Sequence, residues 1–189
     1  NMDPVHKISI VQRGFGALGY TMQVPLEDRY LLQRQDLFNQ LAVLLGGRTA
    51  EEIALGEIST GAQNDLMRAT DIARSMVTEW GMSDILGAIS YDGSKRSKFL
   101  DMPGGPERGA YAEDTARVID AEVKRIMTDA HTEAHRILSG HRDMLESVTR
   151  RLLEVEVMDG VELRRLLDGQ PVASIQDDVR PTPPASGAP

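Results

Sequence analysis

The stretch RQDLFNQLAVLLGGRTAEEIAL, residues 34–55, carries leucine at positions 37, 41, 44 and 45. Steps of three and four put Leu37, Leu41, Leu44 and Leu45 on one face of a helix, whereas a strand would alternate. The pattern predicts a helix from Arg34 to Leu55. Gly46 and Gly47 in its middle each cost about 1 kcal/mol relative to alanine. Such a pair predicts a closely packed neighbouring backbone or a kink.

Reading outward, the same period returns. Ala69, Ile72, Ala73, Met76 and Trp80 form the apolar stripe of a second helix. Thr60 with Gln63 fits a capping box at its start, and Gly81 suits its end. A long helix from about Ala112 to Leu138 carries Ala116, Ile119, Val123, Ile126, Ala130, Ala134 and Ile137 in near-heptad spacing. Shorter helices are expected near 141–154 and 160–168. Toward the N-terminus, residues 5–11 alternate apolar and polar, as does Leu18 to Val24, with Arg13, Gly14, Phe15 and Gly16 between. That is a β-hairpin with a long turn, closed by Pro25. The expected fold is mainly α, a helical bundle-like domain with a small N-terminal β-hairpin or sheet.

Residues 92–109, rich in Gly, Pro, Lys and Arg, read as a loop. The last twenty residues hold five of the nine prolines, so 169–189 is expected to be a disordered tail after a domain spanning 1–168.

Composition excludes several classes. Lys and Arg total 21 against 29 Asp and Glu, a net charge of -8. That balance argues against nucleic acid and anionic lipid as partners, because both require clustered cations. No cysteine is present, which removes disulfides and thiolate metal sites. No stretch approaches the roughly 20 apolar residues of a membrane-spanning helix. The aromatic share is 4%, so aliphatic side chains must fill the core. The chain opens on Asn1 and runs directly into strand-like sequence, which is expected of a fragment of something longer.

No phosphate-binding Gly-x-x-x-x-Gly-Lys-[Ser/Thr] loop and no Gly-x-Ser-x-Gly elbow occurs. His6, His131, His135 and His141 are the only histidines, and none is followed by glutamate. His131 and His135 share a helix face at a spacing that could clamp zinc. They fall one step outside the apolar stripe, however, and read as surface histidines. Asp65 is the better candidate. About 100° per residue places it in line with Ala69, Ile72 and Met76, inside the buried stripe near its border. A buried carboxylate needs a cation, strong donors or a metal. A salt bridge or helix-start hydrogen bond is one reading, and a metal ligand is the other. Arg48, Glu51 and Glu52 are candidate partners, or else a solvated charge cluster.

Several blocks carry a family resemblance. They are Asp3-Pro4-Val-His-Lys-Ile-Ser-Ile10, Leu18-Gly-Tyr-Thr-Met22, Pro25-Leu-Glu-Asp-Arg-Tyr30, Leu44-Leu45-Gly-Gly-Arg48-Thr-Ala-Glu-Glu52, Ser59-Thr60-Gly61-Ala-Gln-Asn64-Asp65 and Met76-Val-Thr-Glu-Trp-Gly-Met-Ser83. In order and spacing they resemble the peptidase domain of the FtsH family of ATP-dependent zinc metalloproteases over residues 2–168. The resemblance implies membrane helices, an AAA+ module using ATP and Mg2+, and a zinc peptidase, assembled as a homo-hexamer that degrades membrane and misfolded polypeptides. It implies zinc held by the histidines of a His-Glu-x-x-His helix, with its glutamate as general base. The third ligand corresponds to Asp65.

That helix is expected upstream of Asn1, so no catalytic residue is assigned within the chain. On this expectation the isolated chain lacks peptidase activity and binds zinc weakly at most. The alternative is a catalytically dead helical assembly module of the same ring. The parent is expected at the cytoplasmic face of a bacterial inner membrane. Strand Leu18 to Val24 is expected to pair with extended substrate.

Overall fold

The computed structural model describes residues 4–11, 19–24, 31–91 and 111–170. They comprise two strands, β1 (Val5–Ser9) and β2 (Tyr20–Gln23), and helices α1 (Arg34–Leu55), α2 (Gln63–Thr78), α3 (Glu113–Gly140) and α4 (Arg142–Val155). A third strand, β3 (Val157–Asp159), and helix α5 (Gly160–Leu167) complete the order. The fold is mainly α with a small antiparallel sheet. Two compact units emerge, one within residues 27–142 and one combining 3–26 with 143–189.

In the first unit α1, α2 and α3 pack on one another. Leu37, Leu41 and Leu45 of α1 meet Ala69, Ala73, Met76 and Val77 of α2 and Ile119, Val123, Ile126 and Ala130 of α3. The expected leucine face of α1 is therefore the buried one, and its ends match the reading from sequence. Thr49 is fully buried, and its hydroxyl donates to the Leu45 carbonyl at 2.8 Å, so no polar group is stranded.

Two stripe residues depart from expectation. Trp80 is 47% exposed because α2 stops at Thr78, so Trp80 no longer follows the helical face. Gly81 then takes φ +59, a left-handed conformation suited to glycine, just past the stop. Ile137 is 42% exposed, since the buried stripe of α3 ends at Ala134. α1 also runs unbroken through Gly46 and Gly47, and among the described residues nothing beyond the helix's own backbone lies within 4 Å of where either Cβ would stand. Among the described residues no close backbone approach explains the pair.

A polar clasp fixes the turn after α2. Glu122, 2% exposed on α3, accepts from the Ser83 hydroxyl at 2.7 Å and from Arg125 at 2.8 and 3.1 Å. The Ser83 hydroxyl oxygen in turn accepts the Ile85 and Leu86 amides. Beside it, Arg34 at the start of α1 grips both oxygens of Asp84 at 2.9 Å.

In the second unit the sheet order is β2-β1-β3, all antiparallel. β3 was not expected from the sequence. It has only three residues, too few for alternation to register, and it exists because β1 offers its second edge. Met158 at its centre is fully buried. Asp159 caps α5 by accepting the Val161 and Glu162 amides at 2.9 and 2.8 Å. Arg151 of α4 bonds Glu162 of α5 at 2.7 Å. A Cβ on Gly160 would collide with the Val5 carbonyl oxygen, so glycine lets α5 start against β1. The hairpin turn, the 92–109 loop and residues 171–189 of the tail lie outside the described residues.

Two predictions arise here. Hydrogen bonding from Arg125, and then from Ser83, holds the Glu122 carboxyl below its ordinary 4.5 despite burial. The clasp thus contributes fully above about pH 4.5 and is lost as pH falls through the lower folded-state value. Glu122→Gln should cost about 2 kcal/mol in urea unfolding at pH 7. That difference from wild type should shrink on acidification, and a pH-independent difference would refute the clasp. Separately, Gly47→Ala should stabilise by about 0.5–1 kcal/mol. Gly160→Ala should destabilise by about 1–3 kcal/mol through overpacking. Equal effects of the two in the same assay would contradict the packing described.

Candidate functional site

The segment Ser59–Asp65 leads out of α1 and into α2. The capping box expected at Thr60 and Gln63 does not form. Ala62 is the N-cap without a side-chain bond, and the Thr60 carbonyl accepts the Gln63 amide at 3.1 Å as a simple turn. This shift places Asp65 in the first turn of α2 rather than the second.

Asp65 is exposed, which corrects its expected place on the buried stripe. Its angular position was right, but burial begins only at Ala69. Leu66 and Met67 in the same turn are 39% and 58% exposed, so the cover that buries Ala69, Ala73, Met76 and Val77 is thinner here. Among the described residues the carboxylate has no hydrogen bond and no ion pair. Neither a salt bridge nor a helix-start hydrogen bond describes it. It is a free oxygen donor set at a helix N-terminus, where unpaired amides favour negative charge.

The charged residues at the end of α1 are not simply a solvated cluster. Glu51 reaches the loop, accepting the Ser59 amide at 3.0 Å and the Ser59 hydroxyl at 2.8 Å. These two bonds, the amide first, hold its carboxyl below the ordinary carboxylate range. Glu52 instead pairs with His131 of α3 at 3.1 Å. Sequence offered little signal for Glu51 and Ser59, since eight residues and a change of element separate them. Arg48 lines a cavity of about 530 Å3 together with Leu45, Ile58, Leu66, Met127 and His131.

His131 and His135 stand with ring centroids 6.5 Å apart, and His135 lies near the Ser139 hydroxyl. They do not converge on Asp65. No cluster of three or more His, Asp or Glu fit to hold a metal occurs among the described residues. Asp65 fits zinc as one ligand, because a free carboxylate is an established zinc donor. The described residues supply no partners for it.

A family model for peptidase family M41 matches residues 1–166. The chain belongs to that family. Its relatives include an ATP-dependent zinc metalloprotease FtsH from Syntrophobacter fumaroxidans, 53% identical over 165 residues, covering 87% of this chain and 26% of that protein. FtsH 4 of a Synechocystis species is 52% identical over 163 residues, covering 86% of this chain and 26% of that protein. The Ralstonia pickettii FtsH is 46% identical over 184 residues, covering 93% and 26% respectively. This M41 chain therefore spans about a quarter of the length of the curated relatives it matches. The resemblance to the FtsH peptidase domain holds across nearly the whole sequence. No helix among the described residues is long and apolar enough to cross a membrane.

Proposed function

We propose that this chain is part of the proteolytic module of an ATP-dependent zinc metalloendopeptidase, with Asp65 supplying one zinc ligand. The observation carrying the reading is the free Asp65 carboxylate. It projects from the first turn of α2 at the position where the FtsH-type block Ser59-Thr60-Gly61-Ala-Gln-Asn64-Asp65 has its ligand. A carboxylate without local partners is costly to bury and ordinary in water. Among the described residues no hydrogen bond occupies its oxygens, so they are open to a metal, which needs the carboxylate in its deprotonated form.

Zinc with three protein ligands and an open position activates water near neutral pH and polarises a peptide carbonyl. In that chemistry Asp65 contributes charge and geometry rather than a proton transfer. The two histidine ligands and the general base are assigned to a His-Glu-x-x-His helix outside this sequence. The chain alone is accordingly inactive. The whole protein is read as a membrane-anchored homo-hexamer at a bacterial cytoplasmic face, degrading membrane and misfolded polypeptides with ATP-driven delivery.

The test uses the full-length protein. Asp65→Ala should lower zinc affinity and casein cleavage by more than the roughly 100-fold that loss of an outer-shell partner causes. ATP hydrolysis should persist. Zinc binding and cleavage at wild-type level in Asp65→Ala would sink the ligand role. A full-length wild type without any metal-dependent cleavage would favour the dead assembly module instead.

A specific observation also supports strand pairing with substrate. β2 pairs with β1 on one side and stands at the end of the sheet order, so among the described residues no further strand adds to its other side. Binding of an unfolded casein peptide should slow amide exchange within residues 20–23. Unchanged exchange at saturating peptide would refute β2 as the docking strand.

A further inference from the structure

The loop delivering Asp65 is held by a side chain from a different helix, and the consequence drawn here rests on reading Asp65 as a ligand. Glu51, near the end of α1, accepts the Ser59 amide through Oε2 at 3.0 Å and the Ser59 hydroxyl through Oε1 at 2.8 Å. The same hydroxyl oxygen accepts the Gly61 amide at 3.1 Å. One step on, the Thr60 carbonyl accepts the Gln63 amide at 3.1 Å, and the Ala62 carbonyl accepts the Leu66 amide at 2.9 Å. From Ser59 to the turn holding Asp65, the backbone is thus tied at successive positions. The first tie belongs to Glu51.

Gly61 shows how closely the loop sits on this network. A Cβ there would stand 3.2 Å from the Ser59 hydroxyl oxygen and 3.8 Å from Glu51 Oε1. Both Glu51 oxygens point to Ser59, so the carboxylate is committed to the loop. The two Ser59 bonds, the amide first, also hold its carboxyl below the usual range.

We propose that Glu51 is a positioning residue for the Asp65 ligand, acting through Ser59 and the Gly61 amide to fix where α2 begins. Asp65 stands on a first turn whose side chains are exposed, with Leu66 only partly covered. Its geometry must come from the turn itself, and Glu51 is the group that anchors that turn to the buried helix α1. Zinc affinity then depends on Glu51 without Glu51 touching the metal.

The experiment compares full-length Glu51→Ala, Ser59→Ala, Ser59→Thr and Asp65→Ala by chelator competition for zinc, and by amide exchange in the zinc-free state. Glu51→Ala and Ser59→Ala should each weaken zinc binding about 10–100-fold and speed exchange at Ser59 and Gly61. Ser59→Thr keeps the hydroxyl and should restore both. Ser59→Ala, a small surface change, guards against a misfolded Glu51 variant. Wild-type affinity in Glu51→Ala and Ser59→Ala, while Asp65→Ala is weakened, overturns the positioning role alone. Wild-type affinity in Asp65→Ala overturns the ligand reading and this proposal with it. Weakening in Glu51→Ala with Ser59→Ala unaffected would leave only the Ser59 amide as the tie and overturn the route through the Ser59 hydroxyl and the Gly61 amide.

Discussion

The helical unit depends on an aliphatic seam in which helix faces must meet almost without aromatic help. With 4% aromatic residues, the chain fills that seam with Leu41, Met76, Val77 and Ile126. Ala69, Ala73 and Ala130 are fully buried among them. Their small side chains allow close approach of the helices, and the leucines and isoleucines then interdigitate across the gap. A seam of this kind supplies burial but little direction. The directional part falls to a few polar groups at its ends.

Those groups tie the two loops that flank α2 to neighbouring helices. Glu122 and Arg34 bring α3 and α1 to the turn after α2. Glu51 brings the end of α1 to the loop before α2. α2 is therefore held at both ends by carboxylates or guanidinium groups of its neighbours, while its middle is held by burial. The functional consequence lies at the first end. There the chain leaves the core, apolar cover thins, and the exposed Asp65 carboxylate has no partner among the described residues.

Helix existence was legible because a 3.6-residue period survives in α1, α2 and α3 over many turns. The bounds of α1 followed from its leucines, and the family followed from collinear blocks. β3 was not legible, since three residues carry no period. Nor was the exposure of Asp65. Angular position around a helix is local information, but cover at its first turn depends on how far the neighbouring helices extend. Trp80 and Ile137 were misjudged for the same reason. A stripe can be continued on paper after the helix or its cover has ended.

The sequence by itself determined the helical periods, the family, the absence of thiolate chemistry and the identity of Asp65 as the residue to watch. Those properties are written in residue type and spacing. Only the tertiary structure decided that Asp65 is exposed and without a partner among the described residues, that Glu51 serves Ser59, and that Glu52 serves His131. Each of these is a pairing, or a lack of one, between different elements, and hydrogen bonds of about 3 Å are set by packing rather than by order.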